Sequence, residues 1–216
     1  MRRIMLLPKT DNWEYNLVDL GLSSGTLWMD RNIGASSPED YGLYFAWGET
    51  QGYSGITSDK QFSWTDYKYA NGAKNKLTKY CNDSYYGNDG FTDNLTELEL
   101  SDDAAYGYTN GKCKMPTKAQ FQELIDETDY TWTTQNGVKG GLFTSKTNGN
   151  SIFVPTAGYC IAGSQYYVGE YGELWSSSLY EKSPNCAWGL ALRRRGGLTD
   201  SGYGHFYGLS VRGVKV

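Results

Sequence analysis

The segment "LRRRGGLTDSGYGHFYGLSVRGVKV" at residues 192–216 sets three consecutive arginines, the chain's single histidine and several tyrosines among glycines. These residue types do recognition chemistry. Tyrosine offers a wide apolar face with a polar tip at low conformational cost, and arginine offers planar, multidentate charge, so both are enriched at interface hot spots. Arg193, Arg195, Asp200, Tyr203, His205 and Tyr207 are therefore candidate ligand-binding residues, joined upstream by Tyr180 and Trp188 and by a tyrosine group at Tyr166, Tyr167 and Tyr171. They obey no simple period-2 burial rule, which marks contact surface or loop filler. The aromatic set suits a sugar ring or a protein anchor. Arg193, Arg194 and Arg195 favour an acidic ligand, such as a sulfated or sialylated glycan, with at least one of the three in a solvated turn.

Other chemistries find less support. A Ser–His–Asp arrangement would need His205, which has no nucleophile motif beside it. Cys81, Cys113, Cys160 and Cys186 form no CxxC pair, and with one histidine in the chain a zinc site is not expected. Two disulfides or buried free thiols both fit the four cysteines. Asp83, Asp89, Asp93, Asp102 and Asp103 supply oxygens that a calcium-dependent lectin could use, in a spacing that matches no EF-hand loop. Neither metal nor cofactor is expected.

The elements that must position these residues are short. Residues 17–34 read as two strands around a Ser-Ser-Gly turn. "SSPEDYG" reads as a helix start with Ser37 as cap and Pro38 in the first turn, and "LYFAWGET" as an aromatic strand or packed turn. Residues 51–100 read as long glycine-rich loops with isolated anchors at Trp64, Tyr67, Tyr69 and Tyr80. "SDDAAYGY" suggests a short helix capped by Ser101, and "TKAQFQELIDET" a longer one, with Thr117 and Gln120 spaced as a capping box and Phe121, Leu124 and Ile125 on one face. Short strands follow, "YTWTTQ", "GGLFTSK" and "SIFVPTAG", split by Asn136-Gly137 and Asn148-Gly149 turns. "ELWSSSL", "AWGLAL" and "GLSVRGVKV" complete a mixed sheet, so the class is α+β.

The 216 residues carry a net charge of −4, with 15% aromatic and 20% charged residues. That is too aromatic for disorder and too acidic to favour nucleic acid or an anionic membrane. No apolar run reaches transmembrane length, and "MRRIMLLPKT" is too short in its apolar part for a signal peptide. One domain over 1–216 is expected, with an N-terminal extension at 1–16 and a display region at 164–216.

Several stretches, taken in order from about residue 17, resemble the Fibrobacter succinogenes major paralogous domain of Bacteroidetes surface proteins. They are "VDLGLSSGTLWMDRNIGASSPEDYGLYFAWGET", "LTKYCN", "DDAAYGY", "MPTKAQFQELID", "TTQNGV", "GNSIFVPTAGY", "ELWSSSL" and "GLSVRGVKV". Cys113 stands where that family usually has tryptophan, and Gly213 where it usually has proline. The resemblance implies a C-type-lectin-like fold with short mixed or antiparallel strands, two main helices and long glycine-rich loops. That fold group includes formylglycine-generating-like enzymes and the variable proteins of diversity-generating retroelements. In the variable proteins a rigid frame holds diversified C-terminal positions. Here the frame would be Trp175–Ser178, Ala187, Leu190, Leu192 and Ser210–Arg212. Randomised adenines in AAY codons yield the residue types in which the last segment is rich, as ordinary loop composition also would. The expected function is non-enzymatic binding of a protein or glycan on a target cell surface, from a phage virion or an extracellular bacterial surface. The alternatives are a calcium-dependent lectin and a formylglycine-generating-like enzyme.

Overall fold

The computed structural model describes residues 15–216, apart from the side chains of Leu198, Asp200 and Ser201. Of the expected N-terminal extension, all but the last two residues lie outside the described residues.

Strands β1 (Leu17–Asp19), β2 (Leu27–Met29) and β3 (Tyr44–Phe45) come first, then helix α1 (Ala104–Tyr108), β4 (Cys113–Lys114) and helix α2 (Lys118–Glu127). The second half is strand-rich: β5 (Thr128–Gln135), β6 (Val138–Ser145), β7 (Ser151–Pro155), β8 (Tyr159–Ile161) and β9 (Ser164–Tyr166). It ends with β10 (Gly172–Leu179), β11 (Cys186–Arg193), β12 (Gly196–Gly204), β13 (Leu209–Ser210) and β14 (Val214–Lys215). The class is α+β and mostly β.

Four sheets organise these strands, in the orders β1-β2-β14-β4, β12-β11-β10-β13-β3, β5-β6-β7 and β8-β9. The first joins the two ends of the described chain, since Val214 pairs with both Trp28 and Lys114. The second is mixed: β10 pairs antiparallel with β11 and parallel with β13. The frame residues behave as expected, with Trp175, Ala187, Leu190, Leu192, Val211 and Arg212 all fully buried.

Helix α2 begins at the expected cap, Thr117, whose side chain accepts from the Gln120 N–H while Gln120 reaches back to the cap. Its Phe121 and Leu124 are buried, and Phe121 lies 5.6 Å from Trp28, so the helix closes over the first sheet. Two expected helix starts are corrected. Asp103, not Ser101, caps α1, accepting the Tyr106 N–H at 2.9 Å, because Ser101 lies within the tight turn that precedes it. "SSPEDYG" forms a turn. Asp40 accepts from Ser36 and Gly42 backbone N–H groups, and this local closure wins over a helix too short to nucleate.

The long connection from 46 to 103 is irregular, as expected, but its aromatic anchors are not isolated. Tyr67 is buried and donates to the Trp47 carbonyl at 2.9 Å, Tyr80 donates to Asp102 at 2.7 Å, and Tyr69 packs edge-on against both rings. Buried Lys60 ties the loop down, donating to both Glu49 oxygens at 2.8 and 2.9 Å. No helix among the described residues is long and apolar enough to cross a membrane.

Arg212 closes the structure from within. Its guanidinium is fully buried, with Nε and Nη2 donating to Asn32 Oδ1 at 3.1 and 2.9 Å and Nη1 donating to the Phe153 carbonyl at 2.8 Å. Burial lowers its pKa to about 9. Gly213 follows because a β-carbon there would stand 2.6 Å from Met29 Sδ and 3.0 Å from Cys113 Cβ. The two departures from the resembled pattern are thus neighbours in space.

Truncating Arg212 leaves buried acceptors unpaired. Arg212→Ala is expected to lower the unfolding free energy in urea titration by about 1–3 kcal/mol for each acceptor left unpaired, against about 1 kcal/mol in all for the cap variant Thr117→Ala.

Candidate functional site

The site is built on β10, which lies in the interior of the five-stranded sheet and is buried along nearly its whole length. Among its apolar residues stands Glu173, with a side chain 1% exposed. A buried carboxylate needs partners, and β11 and β12 provide them. Arg193, at the end of β11, brings Nη1 to 2.7 Å from Glu173 Oε1, and the Tyr203 hydroxyl, from β12, donates to Oε2. Tyr203 can approach because Gly189 lies beneath it. A β-carbon on Gly189 would sit 2.7 Å from the Leu174 carbonyl and 3.2 Å from the Tyr203 ring.

The ladder between β11 and β12 is irregular here. Ala187 pairs with Tyr203 but Gly189 pairs with Asp200, so β12 carries an extra residue. Such a bulge re-aims the side chains beside it, and the exposed Gly202 within it opens onto a cleft of about 220 Å³. Glu173, Arg193 and Tyr203 form one side of this cleft, and Tyr159, Tyr167, Tyr171 and Tyr207 complete the lining.

The tyrosines pack against one another. Tyr159 lies 5.6 Å from Tyr207 and 5.7 Å from the stacked ring of Tyr166, while Tyr167 lies 4.6 Å from Tyr171. Tyr167 adopts a positive φ of 55°, a left-handed conformation uncommon for a bulky residue, which accompanies the exposure of its ring in the turn after β9. Over Tyr171 lies the Arg193 guanidinium, its Cζ 4.3 Å from the ring centroid. Burial raises the pKa of Tyr159, reinforced by neighbouring phenols, and burial also raises that of Tyr207. Both therefore face the cleft as neutral hydroxyls at physiological pH.

The structure thus brings together Tyr167, Tyr171, Arg193, Tyr203 and Tyr207 from the expected set, with Tyr166 at the rim. Other members lie elsewhere. Tyr180 and Trp188 form a separate edge-on pair at 5.0 Å, with Lys118 Nζ 3.4 Å from the Trp188 centroid. Arg194 and Arg195 make the exposed two-residue turn between β11 and β12, so Arg195 does not line the cleft. Asp200 pairs with Gly189 through its backbone, and its side chain lies outside the described residues.

His205 is the clearest correction. It is fully buried, stacked 4.3 Å from Trp47, with its carbonyl accepting the Trp47 N–H at 2.8 Å. Tyr203, near the end of β12, and His205, in the turn that follows it, are both buried, with the buried Gly204 between them. Tyr159 and Glu173 were missed. The signal for Glu173 was available, since an acidic residue inside "GELWSSSL" must be buried with partners if that strand is central.

The cysteines are free thiols, three buried and Cys186 half-buried. Burial pushes Cys113 up to about 11 and Cys160 up to about 12, and it raises Cys81 and Cys186 as well. The five aspartates proposed for calcium point to protein donors instead. Asp93 takes the Tyr80 and Cys81 N–H groups, Asp102 takes two tyrosine hydroxyls and Lys79, and Asp103 takes the Tyr106 and Met115 N–H groups. Asp83 accepts from the Tyr85 N–H and Asp89 from Asn88. Among the described residues no cluster of three or more His, Cys, Asp or Glu could hold a metal. A wider depression of about 600 Å³ runs along α2, but Glu123 and Glu127 in it are already bonded to Ser23 and Ser24 of the β1–β2 turn.

No family model matches the chain, and no curated protein or solved structure matches it.

Burial lowers the His205 pKa to about 3. A base whose folded pKa is depressed contributes stability that is complete above its unfolded value near 6.5 and is lost as pH falls toward 3, because only the unfolded chain takes up the proton. Replacing it with a neutral ring removes that dependence. His205→Phe is expected to flatten the acid limb of a stability–pH curve by up to about 1.4 kcal/mol per pH unit between pH 6 and 4. Parallel curves for the two proteins would contradict this.

Proposed function

We propose that this chain is a non-enzymatic recognition module with a C-type-lectin-like fold, which binds a protein or glycan on a target cell surface through the tyrosine cleft. The observation that carries the proposal is convergence. Tyr167, Tyr171, Arg193, Tyr203 and Tyr207, singled out by residue type alone and drawn from separate segments, line one cleft beside a buried carboxylate. Tyrosine and arginine held on a packed sheet present contact area whose ordering has largely been achieved by folding, a property of tight binding surfaces.

Two features support the fold assignment: the two ends of the described residues meet in the sheet β1-β2-β14, and a long irregular connection sits between short strands. The division between frame and display also supports it, since Trp175–Ser177 and Ser210–Arg212 are buried while Tyr166 and Tyr167 are 43% and 45% exposed. The enzyme alternative of the formylglycine-generating kind draws no support from the cysteines, because an activated thiol needs a lowered pKa and these are raised. Carriage on a phage particle or bacterial surface, and diversification of the display region, belong to the same proposal.

Two measurements test it. A Tyr167→Ala/Tyr171→Ala double variant with wild-type near-UV dichroism is expected to lose about tenfold or more of its binding to a bacterial-cell panel and a glycan array, whereas Trp188→Ala is expected to retain it. Equal binding by all three proteins would move the function away from the cleft. Sequencing the gene across natural populations is expected to place substitutions within codons 164–207 and to leave Trp175–Ser178 and Ser210–Arg212 fixed. An even spread would point to one fixed partner.

A further inference from the structure

Among the described residues the cleft holds one carboxylate and one guanidinium, and they are not equally available. The Glu173 side chain is 1% exposed and both its oxygens face protein donors, whereas the Arg193 side chain is 30% exposed. The charge that a ligand meets is therefore positive. A cationic ligand would also compete for the face of Tyr171, which Arg193 already covers at 4.3 Å.

Arg193 is held still by three contacts. Its Nη1 reaches the Leu192 carbonyl at 3.0 Å and Glu173 at 2.7 Å, and its plane rests over Tyr171. The strand beneath is anchored too, as the Tyr130 hydroxyl donates to the Arg193 carbonyl at 2.8 Å. The hydrogen bond and the ion pair run through Nη1, and among the described residues none runs through the Nε–Nη2 edge. Two parallel N–H groups on that edge match the two oxygens of a carboxylate, a bidentate geometry that an ammonium cannot reproduce.

The walls choose among carboxylates. Apart from Glu173, Arg193 and Gly202, every described residue lining the cleft is a tyrosine. Phenol rings stack on the C–H faces of a sugar while their hydroxyls exchange hydrogen bonds with its hydroxyl groups. A cleft of about 220 Å³ is on the scale of a single ring rather than an extended peptide.

Resting on the reading of the cleft as the recognition site, we infer that it takes a carboxylated sugar, such as a uronic or sialic acid residue of a glycan, whose carboxylate docks on the Nε–Nη2 edge of Arg193. Arg194 and Arg195, in the exposed turn, contribute only general attraction.

The test is calorimetry of the full chain with methyl glucuronide, N-acetylneuraminic acid, methyl glucoside, a sulfated monosaccharide and a glutamate-rich peptide. At least one carboxylated sugar is expected to bind about tenfold or more tightly than the glucoside. Arg193→Lys keeps the charge but removes the fork, and is expected to lose about tenfold or more of that binding, while Arg194→Ala/Arg195→Ala stays within about twofold. Should Arg193→Lys fail to fold, titration of the wild-type chain followed by NMR decides the point, since the Arg193 Nε–H resonance must shift on adding the carboxylated sugar. Equal binding of the neutral glucoside, binding of the sulfated sugar or peptide alone, or no binding by any of the five overturns the inference. If it falls while the Tyr167→Ala/Tyr171→Ala variant still loses cell binding, the cleft remains the recognition site for another ligand. If that variant also binds normally, both readings fall.

Discussion

Everything that presents the cleft depends on a buried cation held by neutral oxygens. Arg212 is satisfied by Asn32 Oδ1 and the Phe153 carbonyl, so one guanidinium fastens the segment between β13 and β14 to the loop after β2 and to β7. Burying this charge is costly, as its lowered pKa records, and the cost is tolerable only while all these acceptors stay in place. The arrangement therefore acts as a geometric constraint more than as a source of net stability. With β13 so fixed, β10 has a partner at Ser210, and Glu173 is held one residue before that pairing.

A second lock aligns the sheet with the long connection. Trp47 Nε1 donates to the Ser176 carbonyl at 2.7 Å, and Trp175 Nε1 donates to the Phe45 carbonyl at 2.8 Å. These reciprocal bonds join β10 to the β3 segment through two large, fully buried rings. His205 belongs to the same lock, because its ring lies on Trp47 and its carbonyl accepts from the Trp47 backbone. Its burial explains how a residue chosen for its chemistry serves as core: a neutral imidazole stacks like any other aromatic ring.

Local signals in the sequence were the reliable ones. The capping box at Thr117 and Gln120, the Asn-Gly turn between β5 and β6, and the β1–β2 turn each declare themselves within a few residues, and each stands where expected. Helix starts departed from expectation where a nearby carboxylate took the local backbone donors: Asp40 closes a turn instead of a helix, and Asp103 rather than Ser101 caps α1. Residue type located most of the cleft, but not which side chains share it. That depends on long-range register, above all on β10 lying between β11 and β13, and no short window contains this information. Tyr180 and Trp188 have the same composition as the cleft residues and still end up beside Lys118.

The bulge in β12 has a meaning beyond the aim of Tyr203. Between the Ala187–Tyr203 and Gly189–Asp200 pairs, chain length and ladder register have already come apart. A residue added or removed there lengthens or shortens an irregularity that exists, and the pairs on either side keep their faces. The edge of the cleft at Gly202 is thus a place where the chain can change in length as well as in side chain while the frame beneath it stays the same.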